Sequence, residues 1–248
     1  MKITFIGTSH GVPAADRYCS ATMIEAGDSI YFIDAGAPLI EELLRRGKDI
    51  HNVRALFITH AHGDHTNGLL HISGLMNWYY KHSSADFYVP EQALIDVFDE
   101  WLTANHDTRD RECLRFHVFD ETLTYDDENI TVTAFSTKHL YHINAPAYGF
   151  VVTDKQSGAR CVFSGDLSGR LAHEDFPAIA MEEEVDALVC EMAHFKMEHV
   201  APYLEQCRAK TVYFTHVYPL SNFDDIRAAA DNYPFPIRIV CDGDELML

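Results

Sequence analysis

Apolar and polar positions along the chain change period several times, and each change marks an element. Lys2 to Ile6, Ala21 to Ala26 and Ser29 to Asp34 read as strands, the last two joined by Gly27-Asp28, a residue pair suited to a two-residue hairpin turn. A helix is expected from Pro38 to about Arg46, because Pro38 fits a first helical turn and Gly47 is placed to end it. Ala55 to Thr59 is a short apolar run that predicts a buried strand, and Thr66 to Tyr80 predicts a helix with Leu69, Ile72, Met76 and Tyr79 on one face. Between them lies a loop dense in histidine.

The alternation then repeats. Strands are expected near Asp86 to Val89, Arg115 to Phe119, Ile130 to Phe135, Tyr148 to Thr153, Arg160 to Ser164, Ala187 to Cys190, Thr211 to Thr215 and Ile237 to Val240. Helices are expected from Glu91 to about Ala104, Val200 to Cys207 and Asp224 to Asp231. Hairpins early in each half and strand-helix alternation late in each half predict the α/β class, as two stacked sheets with helices outside, a four-layer αββα sandwich. No Pro/Gly/Ser-rich linker divides the chain, so residues 1–248 are expected to form a single domain.

Composition narrows the function classes. At 47% hydrophobic and 23% charged residues, the chain has the balance of a globular protein and not of a disordered one. Nineteen Lys and Arg against 38 Asp and Glu give a net charge of −19, which repels polyanions and argues against bulk nucleic-acid binding. The six cysteines are scattered, with no closely spaced pair, which fits reduced thiols and a cytoplasmic location. No apolar run approaches a membrane span, and the start of the chain is too short in apolar stretch for a signal peptide, so no membrane partner is expected.

Histidine is the anomaly, at fifteen residues, and its neutral imidazole is a common ligand for transition metals. In the loop His60-Ala61-His62-Gly63-Asp64-His65, two imidazoles at i and i+2 can converge on one ion while Asp64 and His65 turn toward a second. His139, Asp166 and His216 each follow a predicted strand. Singly, a strand-end His or Asp is more often a turn residue. Together with His60, His62, Asp64 and His65 they supply the roughly seven donors of a dinuclear centre, with Asp166 placed to bridge.

This ordered set resembles the metallo-β-lactamase fold hydrolases, in their ribonuclease Z-like and phosphodiesterase-like branch. The resemblance runs over nearly the whole chain: Gly7-Thr8-Ser9-His10-Gly11-Val12-Pro13, Ile33-Asp34-Ala35-Gly36, Thr59 to His65 with Gly68-Leu69, His139 followed by Ala147-Tyr148-Gly149-Phe150, Ser164-Gly165-Asp166 and Phe214-Thr215-His216. It implies two divalent transition-metal ions, zinc or manganese, one held by His60, His62 and His139 and the other by Asp64, His65 and His216. Asp166 and a hydroxide would bridge them, with Asp64 also counted in the catalytic set and Asp34 orienting a ligand imidazole.

Departures from the family pattern matter for substrate. The tRNA-processing members carry a His-Glu-Ala-Thr segment where this chain has Cys190 before Glu191, which leaves His194 and His199 as candidate general acids. No long basic arm stands between His65 and His139, so tRNA is not an expected partner. A phosphonate-pathway cyclic phosphodiesterase shares the style of the opening motif but has a structural zinc site of clustered cysteines, which Cys19 alone cannot make. True β-lactamases typically have a cysteine or serine in place of Asp166, which argues against β-lactam hydrolysis.

The expectation is therefore a metal-dependent hydrolase of a small phosphodiester or nucleotide-like ester, acting through a metal-bridging hydroxide. The alternatives are a thioester or lactone hydrolase on the same site, or a non-catalytic metal-containing binding or carrier protein. The expected partner is a small phosphorylated ester, with a homodimer as the candidate assembly. Lys138, Arg170 and Lys196 are candidates for a phosphate, against the plainer reading of solvated surface charge. Trp78, Tyr79 and Tyr80 are candidates for stacking on a ring, against the plainer reading of core.

Overall fold

In the computed structural model, which describes residues 1–80 and 82–248, the apolar strands assemble into two seven-stranded sheets. The first contains β1 (Lys2–Gly7), β2 (Ala21–Ala26), β3 (Ser29–Ile33), β4 (Val53–Phe57), β5 (Ala85–Val89) and β6 (Leu114–Val118), antiparallel up to β3 and parallel from β3 to β6. The second contains β7 (Thr124–Asp126), β8 (Ile130–Ser136), β9 (Tyr148–Asp154), β10 (Arg160–Phe163), β11 (Ala187–Glu191), β12 (Val212–Thr215) and β13 (Ile237–Ile239), again hairpins first and parallel strands after. The last strand, β14 (Glu245–Met247), returns to pair with β1 at the edge of the first sheet.

Period-two alternation divides each strand between two cores. Met23, Phe32 and Leu56 point outward to pack under α1 (Leu39–Arg45), α3 (Leu69–Trp78) and α4 (Gln92–Ala104), following the short α2 (Gly63–Thr66). Their neighbours Ile24, Tyr31 and Phe57 point inward, against Phe150, Val152 and Phe163 of the other sheet. That sheet's outer face, with Val162, Leu188 and Phe214, packs under α5 (Ile179–Glu182), α6 (Met197–Leu204) and α7 (Asn222–Ala229). The result is the expected αββα order of layers. Burying each large side chain in these layers contributes roughly 1.5–3 kcal/mol.

Four differences from the sequence reading have local causes. The helix expected from Thr66 to Tyr80 is α3 alone, from Leu69 to Trp78, while Thr66 ends the short α2; between them, a Cβ at Gly68 would stand 2.4 Å from the Ala37 carbonyl oxygen, so glycine lets the junction pack against the loop after β3. Tyr79 lies past the end of α3 and is 72% exposed, while Leu69, Ile72 and Met76 are buried. Helix α6 starts at Met197 because the His199 Nδ1 accepts the Lys196 amide hydrogen at its first turn. Strands β7 and β14 lie outside the expected set: each is three residues long, β7 has no apolar run to mark it, and the run Leu246 to Leu248 that includes part of β14 is too short to stand out.

Candidate metal centre

Residues of ligand type cluster where strands end on one side of the sandwich. Asp34 follows β3, the His60–His65 loop follows β4, His139 follows β8, Asp166 follows β10, His194 follows β11 and His216 follows β12. Parallel strands that end together bring such loops into one crevice. Close approach between loops depends on glycine at two points. Gly165 has φ +59° and a Cβ there would be 2.2 Å from the Tyr148 carbonyl oxygen; at Gly36 it would be 1.8 Å from that of Asp64.

Two groups of donors converge around Asp166. His60, His62 and His139 form one set, in which the His139 Nε2 is 3.4 Å from the His62 Nδ1. Asp64, His65 and His216 form the other, in which the Asp64 Oδ2 is 3.6 Å from the His65 Nε2 and 3.7 Å from the His216 Nε2. The Asp166 Oδ2 lies 3.7 Å from His60, 3.8 Å from His139 and 3.5 Å from His216, and its Oδ1 lies 3.5 Å from His65.

These separations are too long for good hydrogen bonds and suit a shared ion. Ligands about 2.1 Å from one tetrahedral ion stand about 3.4 Å from each other. Among the described residues the buried Nε2 atoms of His60 and His65 have no hydrogen-bond partner, an expensive state for a polar atom unless something else engages it. The donor set therefore fits divalent metal, with imidazole and carboxylate ligands and no thiolate.

Groups behind the donors fix their orientation. The Asp34 Oδ2 is 2.7 Å from the His65 Nδ1, and the Thr59 hydroxyl lies 3.0 Å from both Asp34 carboxylate oxygens and 3.0 Å from the His60 Nδ1. The His139 Nδ1 faces the Leu167 carbonyl at 3.2 Å. Each contact puts the ring proton on Nδ1 and turns Nε2 to the centre. Burial pushes the His60 pKa well below the usual value. Burial would push that of His65 down too, but the carboxylates of Asp166 and Asp34 hold it well above. Burial opposes ionisation of Asp166, yet the His216 and His65 imidazoles hold its pKa well below the usual range.

A fourth group joins His139, Asp166 and His194. The His194 Nε2 is 4.0 Å from the Asp166 Oδ2, and its Nδ1 is 2.8 Å from the Glu191 Oε1. Buried Glu191 also accepts the amide hydrogens of Leu167, Ala193 and His194. Burial acts to lower the His194 pKa, but the Glu191 carboxylate outweighs it and raises the value to about 9. The Nδ1 of His199 is engaged in capping α6, and the ring belongs to none of the donor groups among the described residues. Cys190 is fully buried in the core under α6.

Of the other candidates, Lys138, Arg170 and Lys196 are exposed. Trp78 and Tyr79 are exposed too and, with Trp101, line a surface cavity of about 250 Å³ that none of the seven donors lines. The core reading fails for those two rings. Thr59 had no assigned role in the sequence, although its place before His60 on the loop is the trace it leaves there.

The chain is similar to several known proteins. The family model described as Anti-Pycsar protein Apyc1 matches residues 1–222. A ribonuclease Z from Gloeothece citriformis is 30% identical over 162 residues, 64% of this chain and 49% of that protein. The chain thus spans about half the length of the curated relatives it matches. The metallo-β-lactamase fold protein YhfI from Bacillus subtilis superposes with TM-score 0.79 at 18% identity, covering 99% of this chain and 98% of YhfI. The short form of human tRNase Z gives 0.74 at 22% identity, covering 100% and 99%.

Proposed function

The chain belongs to the Anti-Pycsar protein Apyc1 family, among the metallo-β-lactamase fold hydrolases of the ribonuclease Z-like and phosphodiesterase-like branch, and from that premise we propose a dinuclear metal-dependent hydrolase of small phosphodiesters or nucleotide-like esters. One hydrolase domain over residues 1–248 carries the activity in this reading. The observation that supports it is the position of Asp166, whose two carboxylate oxygens face imidazoles of both donor groups at 3.5–3.8 Å. In this reading His60, His62 and His139 would hold one zinc or manganese ion, Asp64, His65 and His216 would hold the other, and Asp166 would serve both. Such ions supply a hydroxide nucleophile at neutral pH and neutralise charge on the ester under attack.

The protein's own groups supply the rest. Asp34 and Thr59 hold the imidazoles of His65 and His60 in the tautomer that presents Nε2. His194, held by Glu191, carries the proton that the departing oxygen needs. His199 takes no part in this scheme, since it caps α6.

A small substrate is favoured over tRNA on two grounds. The net charge of −19 opposes a polyanion, and the stretch from His65 to His139 is taken up by α3, β5, α4, β6, β7 and β8 of the sandwich. A cytoplasmic location fits the six unpaired cysteines, and no helix among the described residues is long and apolar enough to cross a membrane. The test is a panel on metal-quantified protein, with a phosphodiester, a thioester, a lactone and an activated carboxylic ester. Preferential turnover of the phosphodiester is expected. Preferential turnover of the thioester or lactone would move the assignment, and no turnover at full metal loading would favour a binding protein.

A further inference from the structure

Asp175 lies outside the donor set, on a loop the hydrolytic scheme does not use. Its Oδ2 accepts the amide hydrogen of Lys138 at 2.7 Å and that of Ser168 at 2.8 Å. Lys138 immediately precedes His139, and Ser168 stands two residues after Asp166. A single carboxylate oxygen therefore ties together the two loops that carry His139 and Asp166. Two further bonds join the same loops: the Thr137 hydroxyl donates to the Asp166 carbonyl at 2.8 Å, and the His139 ring meets the Leu167 carbonyl.

The loop that presents Asp175 is itself constrained. Arg170, Leu171 and Glu174 all have φ between +54° and +58°, a region that disfavours side chains, and strain of this kind persists only where the surroundings impose it. The Arg170 amide donates to the His194 carbonyl at 3.0 Å, so the segment also touches the loop of the third member of that donor group. Charge-assisted bonds from backbone amides to a carboxylate are among the stronger hydrogen bonds in proteins.

We propose that Asp175 is a positioning residue for the metal centre: it sets the spacing between His139 and Asp166 by holding their backbones from one oxygen atom. The proposal rests on the metal-site reading above. A dinuclear centre tolerates little error in that spacing, because His139 belongs to one ion and Asp166 to both. Structural cost from losing the carboxylate should be small. A cavity of about 380 Å³, lined by Asp175, Lys138 and His173 among others, lies alongside and lets water reach the freed amides.

Zinc affinity is the direct test, measured by competition with a chromophoric chelator on the full chain, beside the melting temperature of the metal-free protein. Asp175→Ala should weaken binding of at least one ion by about tenfold, within the range seen when groups supporting metal ligands are removed. Asp175→Asn keeps an oxygen acceptor and should restore affinity to within about threefold, since a threefold change is well under 1 kcal/mol. Both metal-free variants should melt within a few degrees of the parent. Parental affinity in Asp175→Ala overturns the proposal, as does an Asn variant no better than Ala. A large drop in metal-free melting temperature in both variants would make the role structural and also overturn it. Absence of zinc uptake by the parent protein overturns the metal-site reading and the proposal together.

Discussion

The Glu191 carboxylate meets the His194 imidazole at 2.8 Å, and the opposite nitrogen of that ring is 4.0 Å from the Asp166 Oδ2. The pair therefore aims a ring nitrogen at the candidate metal centre while a buried anion favours the protonated ring. Burial acts to lower the His194 pKa and Glu191 raises it to about 9, so the proton is present at neutral pH. Bound dications act in the opposite sense and bring the value down from there.

A general acid must be protonated to work, so activity on poor leaving groups should decline as pH rises through the His194 pKa. The decline should begin at or below about pH 9. Glu191→Gln removes the group that raises the value and should shift that limb to lower pH. His194→Ala should slow alkyl esters by about 10²–10⁴-fold and nitrophenyl esters far less, because nitrophenolate departs without a proton. Rate-pH profiles on both substrates check this, and equal losses on the two would remove His194 from the donor role.

Asp166 is the group that faces both donor sets. Asp166→Ala should leave the fold intact and cut turnover by about 10²–10³-fold or more, the equivalent of several kcal/mol of lost charge stabilisation. Circular dichroism and metal analysis would accompany the kinetics. Activity close to that of the parent at full metal occupancy would show the bridge to be misassigned.

Part of this centre is legible in the sequence and part is not, for physical reasons. The His60–His65 loop is readable because its donors are neighbours along the chain. His139, Asp166 and His216 are readable only as positions at predicted strand ends, so they depend on the strands being right. Glu191 is readable as the residue near enough to orient His194. Asp175 leaves no such trace: it acts on backbone amides of Lys138 and Ser168, which any residue except proline supplies. Strand β14 escapes for a similar reason. It is held by pairing with β1, and only Leu246 of its three residues is buried.

Metal uptake should release protons. His65 must lose the proton on Nε2 to act as a ligand. Although its burial opposes charge, Asp166 and Asp34 raise its pKa well above the usual value. In the metal-free protein the ring is therefore charged at pH 7, and an ion must displace that proton. Affinity should rise with pH through neutrality, up to the raised pKa of His65. Calorimetry in two buffers of different ionisation enthalpy measures the release directly. Binding with no net proton release at pH 7 would contradict the charge state assigned to His65.

The last expectation separates this chain from the relatives it resembles. A ribonuclease Z is 30% identical to it over 64% of the chain, and the short form of human tRNase Z shares its fold. Gripping a tRNA requires cationic groups that neutralise backbone phosphates, and each such contact steepens the fall of affinity with salt. Here the net charge is −19, and Lys138, Arg170 and Lys196 are scattered exposed cations on three separate segments. A small phosphodiester needs only the metal ions and a proton donor, and its single charge is weakly screened inside a cleft. Precursor tRNA should therefore be cleaved slowly or not at all at about 0.15 M salt, while kcat/KM on a small phosphodiester changes little as salt is raised. Efficient tRNA cleavage that weakens steeply with salt would reveal a cationic surface that this reading denies, and would return the chain to tRNA processing.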